Sequence, residues 1–402
     1  MPIYKYKAVS ENGEVFEGYH EGDSKADVLD MLKRNNYYPM QVEEDIETSI
    51  RTTLFARRIT KKDMAVFCRQ FYTMLNAGIG VINCLQILET QTENRTFKDT
   101  ISSVYEDVQK GMTLSESMNR YDKVFPALLT NMVEVGETSG TLDIIMERMA
   151  VHYEKENKIE NKVKSAFIYP AVLGAVSIAV VIFLLIVVMP SFIGMFGSSD
   201  AVLPMPTMIL LAMSNWLKDY WYLFIGIIFG IIIAIKIFGT TPNGRMLYDS
   251  IKLRIPIFDR MNINIITSRF TRTMSTLLSS GISLLRAMDV VSKILGNEVV
   301  SKRLDTAKED IRKGIPMSRA IEAMAIFPPM VSSMISIGEE SGAIDDILNK
   351  TADFYDEEVD TSIQRMTTLL EPMLIVVMAI MIGFIVISIA IPMFDMVSTA
   401  QM

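Results

Sequence analysis

Apolar and polar positions change rhythm several times along this chain. The opening stretch, "MPIYKYKAVSENGEVFEGYH", alternates the two classes, which predicts paired strands "YKYKAV" and "EVFEGYHE" around the turn signal "ENGE". "KADVLDMLKRN" reads as a helix that Ser24 is placed to cap, and "YYPMQVEE" as a returning strand. Residues 1–45 are therefore expected to form a small β-α-β module, short for independent folding and expected to dock on a bundle or partner. Residues 46–62 lack a sustained apolar face and carry Arg57, Arg58, Lys61 and Lys62. They read as a solvated or lipid-touching linker, with a partner-docking segment as the alternative.

Three later runs are apolar throughout. No charge occurs from Ser165 to Ser199, and residues 166–189 reach about 36 Å as a helix, enough to cross a hydrocarbon core of about 30 Å. Residues 220–238 carry Trp221 and Tyr222 at one end and Lys236 near the other, as a spanning helix tolerates. Residues 372–392 are again uncharged. Lys158, Lys162 and Lys164 precede the first run, and Arg245, Lys252 and Arg254 follow the second. The positive-inside rule then puts residues 1–165, with a first bundle at 63–165, and residues 239–371 in the cytoplasm, 190–219 outside as a short loop, and 393–402 outside as a tail. No apolar leader opens the chain, so its N-terminus is expected to be cytoplasmic.

The polar regions repeat. "FCRQFYTMLNAGIGVINCLQIL" and "FTRTMSTLLSSGISLLRAMDVV" match at Phe67/Phe270, Arg69/Arg272, Gly78/Gly281 and further positions, 203 residues apart. The shift holds at Gly111/Gly314 and becomes 202 at the two "FP" dipeptides. It stays there through Tyr153/Tyr355, Pro170/Pro372 and Pro190/Pro392. The chain thus contains a duplicated unit, a helical bundle followed by one span, with an unrepeated return crossing between the copies. Within each copy Gly78 and Gly281 read as turn glycines after a helix, Thr113 and Pro316 as helix starts, and the FP prolines as another.

Two further five-residue strings are nearly identical: "GETSG" (Gly136, Glu137, Ser139, Gly140) and "GEESG" (Gly338, Glu339, Ser341, Gly342). Serine is fourth, not third, so they are not nucleophile elbows. They read as tight turns between helices, with Gly136 and Gly338 able to take positive φ and Ser139 and Ser341 placed to cap the next helix. A turn does not itself require Glu137 and Glu339; a helix N-terminus or a partner's basic patch would favour each carboxylate.

These residues carry a resemblance. "FCRQFYTMLNAGI", "KGMTLSES…FP", "VGETSGTLDIIMERMAVHYEKE" and the "YP" opening the first span are similar to the type II secretion system F family, over Phe67 to Phe394 in two copies. The N-terminal stretch resembles the small region that such proteins carry. The second copy has Thr273 for Gln70 and Ser280 for Ala77, so no role is carried over at those positions. The resemblance implies a non-enzymatic scaffold in the bacterial inner membrane. Such a scaffold couples a cytosolic assembly ATPase to pilins or pseudopilins, among other inner-membrane assembly proteins, for a type IV pilus or type II secretion machine.

Composition narrows the alternatives. Net charge is −8 over 402 residues, against nucleic-acid binding. Cys68 and Cys84 form no CxxC and read as free thiols, while His20 and His152 lack ligand-spaced partners, so no metal is expected. No G-x-x-x-x-G-K-[ST] occurs, and no catalytic or cofactor-binding residues are expected. An oligomeric transporter or channel subunit is the alternative, but the spans hold no acidic or basic residue except Lys236. The expected fold is mainly α, an integral membrane protein of two homologous cytoplasmic bundles, three transmembrane helices and the N-terminal module. A homo-oligomer, dimer or higher, is expected.

Overall fold

The computed structural model describes residues 3–10, 15–21, 25, 29, 37–44, 58–191, 204–255 and 258–399. The chain divides into two compact units, Met1–Phe125 and Pro126–Met402.

The first unit opens with a three-stranded antiparallel sheet, β1 (Ile3–Ser10), β2 (Val15–Glu21) and β3 (Tyr37–Glu44), in the order β2-β1-β3. Pairing of β1 with β3 slips between Lys7, opposite Gln41, and Ala8, opposite Pro39. Proline has no N–H for a ladder, and it stands here on an edge strand beside the bulge. The expected "ENGE" turn and the Ser24 cap lie outside the described residues; Lys25 and Leu29 are helical.

Four helices follow: α1 (Lys61–Asn76), α2 (Val81–Gln91), α3 (Arg95–Gln109) and α4 (Leu114–Asn119). Lys61 and Lys62, expected in the linker, form the first turn of α1 instead, because Thr60 and Asp63 make a capping box (Asp63 N to Thr60 Oγ1, 3.2 Å; Thr60 N to Asp63 Oδ2, 2.8 Å). Asn94 caps α3, and Thr113 with Glu116 caps α4 by the same reciprocal bonds as α1. Gly78 turns the chain out of α1 at φ +81°. The core gathers Phe67, Phe71, Phe97 and Phe125, with ring centroids 5.4–5.8 Å apart, around buried Cys68 and Cys84. Burial pushes the Cys68 thiol far above its ordinary value against a weaker pull from Arg69, so it behaves as a small core hydrophobe.

The second unit begins with α5 (Ala127–Ser139) and α6 (Leu142–Phe183), which continues through a π turn (Leu184–Val188) to Ser191. Then come α7 (Met205–Asp219), α8 (Trp221–Thr240), α9 (Pro242–Lys252), α10 (Phe258–Ser279), α11 (Leu284–Ile294) and α12 (Glu298–Arg312). The unit closes with α13 (Met317–Ala323), α14 (Pro329–Ser341) and α15 (Ile344–Thr399). Helix starts repeat with the sequence: α2/α11, α3/α12 and α4/α13 begin 203 residues apart, α5/α14 and α6/α15 begin 202 apart. The lost residue falls between α13 and α14, where Ala325 takes φ +50°, a conformation that side chains other than glycine rarely adopt.

Among the described residues α6 to Ser191 and α15 to Ile391 are long and apolar enough to cross a membrane, by length and composition. The expected spans 166–189 and 372–392 are the distal parts of these helices, with no break at Pro170 or Pro372. The two helices run parallel: Lys155 meets Asp353, Lys162 meets Asp360, and Tyr169 meets Glu371. Each pair is separated by nearly the repeat shift, so equivalent positions stand at the same height. Ile159, Met261, Val359, Ile363 and Met366 form the core where α6, α10 and α15 meet.

Residues 205–219, expected as part of an external loop, are instead helix α7, laid against α6 and α15. Two prolines at its start preset helical φ, and "MILLAM" is apolar on every face, so the segment gains by packing on apolar neighbours. Its inner face is Thr207, Leu210 and Ser214.

Candidate functional site: a repeated turn and the seam between two long helices

The two five-residue strings lie at helix ends, differently from expectation in detail. Positive φ belongs to the second glycine of each, Gly140 (+71°) and Gly342 (+69°), the left-handed residues that terminate α5 and α14. Gly136 and Gly338 are helical and needed for close approach. A Cβ on Gly136 would lie 3.0 Å from Leu142 Cα and Ile145 Cγ1, and one on Gly338 would lie 2.9 Å from Ile344 Cα. The serines do not cap the following helices. Ser139 Oγ and Ser341 Oγ donate backwards to Val135 O and Ile337 O, each at 2.7 Å, because both still belong to the preceding helix.

Glu339 has an internal use. Its carboxylate accepts from Met317 N (2.6 Å), Ser318 N (3.1 Å) and Ser318 Oγ (2.6 Å), closing the N-terminus of α13. That helix needs an outside acceptor because its N-cap is Pro316, which offers no side-chain oxygen; the equivalent Thr113 caps α4 with its own hydroxyl. Negative charge is also favoured at this end of a helix. Glu137, at the equivalent helical position, is half-buried.

The repeat-marking residues are packing positions. Phe270 and Phe327 pack as tilted rings with centroids 4.6 Å apart, echoing Phe67 and Phe125 at 5.8 Å. Thr73 Oγ1 donates to Arg69 O and Thr276 Oγ1 to Arg272 O, both at 2.8 Å. Gly281 turns the chain out of α10 at φ +83°. Pro170 and Pro372 lie inside their long helices.

Arg272 is the centre of the seam, a feature that the sequence pattern did not single out beyond its repeat partner. It is 9% exposed, and its guanidinium reaches Asn349 (3.1 Å), Asp353 (2.7 Å) and Asp356 (2.6 Å) on α15. Ser268 donates to Asp356 at 2.5 Å, and Lys155 of α6 joins the same acids at 3.3 and 3.6 Å. Arg269 pairs with Glu156 at 3.3 Å. Burial pushes the Asp353 carboxyl up, but Arg272 and then Lys155 outweigh it and hold the group below the usual carboxylate range. Burial, helped by Glu358, pushes Tyr355 up to about 12. A nearly buried guanidinium, held by Asn349 at one terminal nitrogen and by two carboxylates at the other, with its Nε left without a hydrogen-bond partner, fixes the register of α10, α6 and α15.

Fold and seam together define a duplicated helical protein whose two copies each send out one long helix, side by side and parallel. The chain belongs to the family described as type II secretion system (T2SS), protein F, which matches residues 67–190 and 270–392, with its N-terminal domain matching residues 1–43. It is 36% identical to the type IV pilus assembly protein PilC of Thermus thermophilus, over 99% of both chains. It is 33% identical to the PilC of Myxococcus xanthus, over 99% of this chain and 96% of the relative. It is 32% identical to the type II secretion system protein F of Vibrio cholerae, over 98% of each. The two matches end at Pro190 and Pro392, equivalent positions 202 residues apart near the far ends of the two long helices.

Proposed function

We propose that this chain is the polytopic inner-membrane platform of a type IV pilus or type II secretion machine. It couples a cytosolic assembly ATPase to the insertion of pilins or pseudopilins into a fibre, and has no chemistry of its own. Relatives named for both machines, each aligned over nearly the whole chain, support the class. The observation that carries the membrane topology is the parallel course of α6 and α15. Two parallel helices that both leave cytoplasmic lobes cross the bilayer in the same direction, so the chain must return between them. Helix α8, twenty residues from Trp221 to Thr240 and apolar but for Lys236 and Thr240, is the crossing that answers this need. Basic residues at Lys158, Lys162, Lys164, Arg245, Lys252 and Arg254 favour cytoplasmic lobes, with the tail 393–402 outside.

On this reading the lobes at 63–165 and 239–371 receive the ATPase, the spans receive the fibre subunits, and the platform works as a homo-oligomer. Glu137 is a docking carboxylate to test, with the variant's unfolding midpoint measured alongside, because its counterpart Glu339 also holds α13. Co-purification from cells tests it: Glu137→Lys is expected to lose the ATPase while the protein stays folded and in the membrane. Unchanged recovery of the ATPase would remove Glu137 from the docking surface.

A further inference from the structure

Each long helix carries two prolines twenty residues apart, Pro170 and Pro190 in one, Pro372 and Pro392 in the other. Twenty residues of helix cover about 30 Å, the thickness of a hydrocarbon core. A proline has no N–H, so it leaves the carbonyl one turn earlier without its helical donor. In α15 that carbonyl is Ser388 O, four residues before Pro392. In α6 the π turn widens the ladder by one residue: Met189 N donates to Leu184 O, five back, so the carbonyl vacated by Pro190 is Leu185 O.

Both vacated carbonyls accept from α7. Thr207 Oγ1 donates to Ser388 O and Ser214 Oγ to Leu185 O, each at 2.6 Å. Thr207, Ser214 and Ser388 are at most 2% exposed, sealed by Leu185, Met189, Leu210 and Ile385. The two donors are seven residues apart, about 10.5 Å along α7, close to the upper end of the roughly 8–10 Å spacing of packed helices.

We propose that the two proline-vacated carbonyls are paired hydroxyl-binding sites and that α7 is the latch that fills both, tying the outer ends of the repeat spans together. The proposal rests on the reading of α6 and α15 as membrane spans. In hydrocarbon no water replaces a lost donor, so each hydroxyl matters more there than on a wet surface. Any motion that parts the spans near their outer ends must first release one of these bonds, which makes α7 the element that sets whether the two copies move as one body or two.

Hydrogen exchange of the full chain in phosphatidylcholine nanodiscs tests this. Thr207→Val keeps the shape and removes the donor, and exchange across residues 205–219 is expected to rise about tenfold, as for one buried hydrogen bond. Thr207→Ser should stay within about twofold of the parent. The decisive background is Pro392→Ala, which restores an N–H to Ser388 O; there the Thr207→Val effect should shrink to about twofold or less. Unchanged exchange in Thr207→Val, or an equal rise in both backgrounds, overturns the latch. Release of the chain from vesicles by alkaline carbonate would instead overturn the membrane reading, leaving the exchange comparison to decide the latch by itself.

Discussion

Removing the Glu339 carboxylate should unseat α13. Three contacts are lost in Glu339→Ala: two backbone N–H groups and one hydroxyl, all within 3.1 Å. Loss of a side-chain cap typically costs about 0.5–2 kcal/mol, and a charge-assisted hydrogen bond is worth about 1.5–3 kcal/mol. The site is half-buried, so water takes up part of the loss, and about 2 kcal/mol of destabilisation is expected. Glu339→Gln keeps an acceptor oxygen and should cost about 1 kcal/mol. Exchange at the Met317 and Ser318 amides, read alongside denaturant unfolding, is the assay. Pro316→Thr supplies the cap that Thr113 provides in the first copy, and in the Glu339→Ala background it should restore about 1 kcal/mol. If Glu339→Ala leaves both amides and the unfolding midpoint unchanged, the carboxylate does not hold α13 and the capping argument fails.

Two further outcomes follow from the same geometry. Gly338→Ala places a methyl 2.9 Å from Ile344 Cα, a backbone atom that cannot rotate away, and is expected to cost about 1–3 kcal/mol in unfolding measurements; Gly342→Ala should cost less, since its φ of +69° is strained but unobstructed. The seam should weaken in acid. Asp353 titrates below its unfolded value, so its contribution is present above that value and is lost as pH falls through the lower, folded one. Melting curves below about pH 4 should therefore drop more steeply for the parent than for Asp353→Asn, and parallel curves would show that Arg272 does not depend on this partner.

Much of the architecture was legible because the repeat gives two readings of each element. Gly78 and Gly281 turn the chain as their position after a periodic helix suggests, and the FP prolines start helices in both copies. The five-residue strings were legible as helix ends but not in their internal roles. Either glycine satisfies a turn pattern, and only the packing of α6 on α5, and α15 on α14, decides which one must lack a Cβ. The Glu339 bond to Met317 joins residues on different helices, so no local spacing announces it. Arg272 was visible as a repeat mark, yet its acids lie more than eighty residues away on α15. Helix α7 was hidden for a different reason: its fifteen residues are too short for a span, and Lys218 with Asp219 makes the segment read as loop.

The central claim is that both repeat copies face the cytoplasm and send parallel helices outward. Single cysteines answer it most directly. With Cys68 and Cys84 replaced, Glu106→Cys marks the first lobe and Glu309→Cys the second, both at exposed positions. Both should resist a membrane-impermeant maleimide in intact spheroplasts and react after lysis. Labelling of one lobe from outside while the other stays protected would contradict the account.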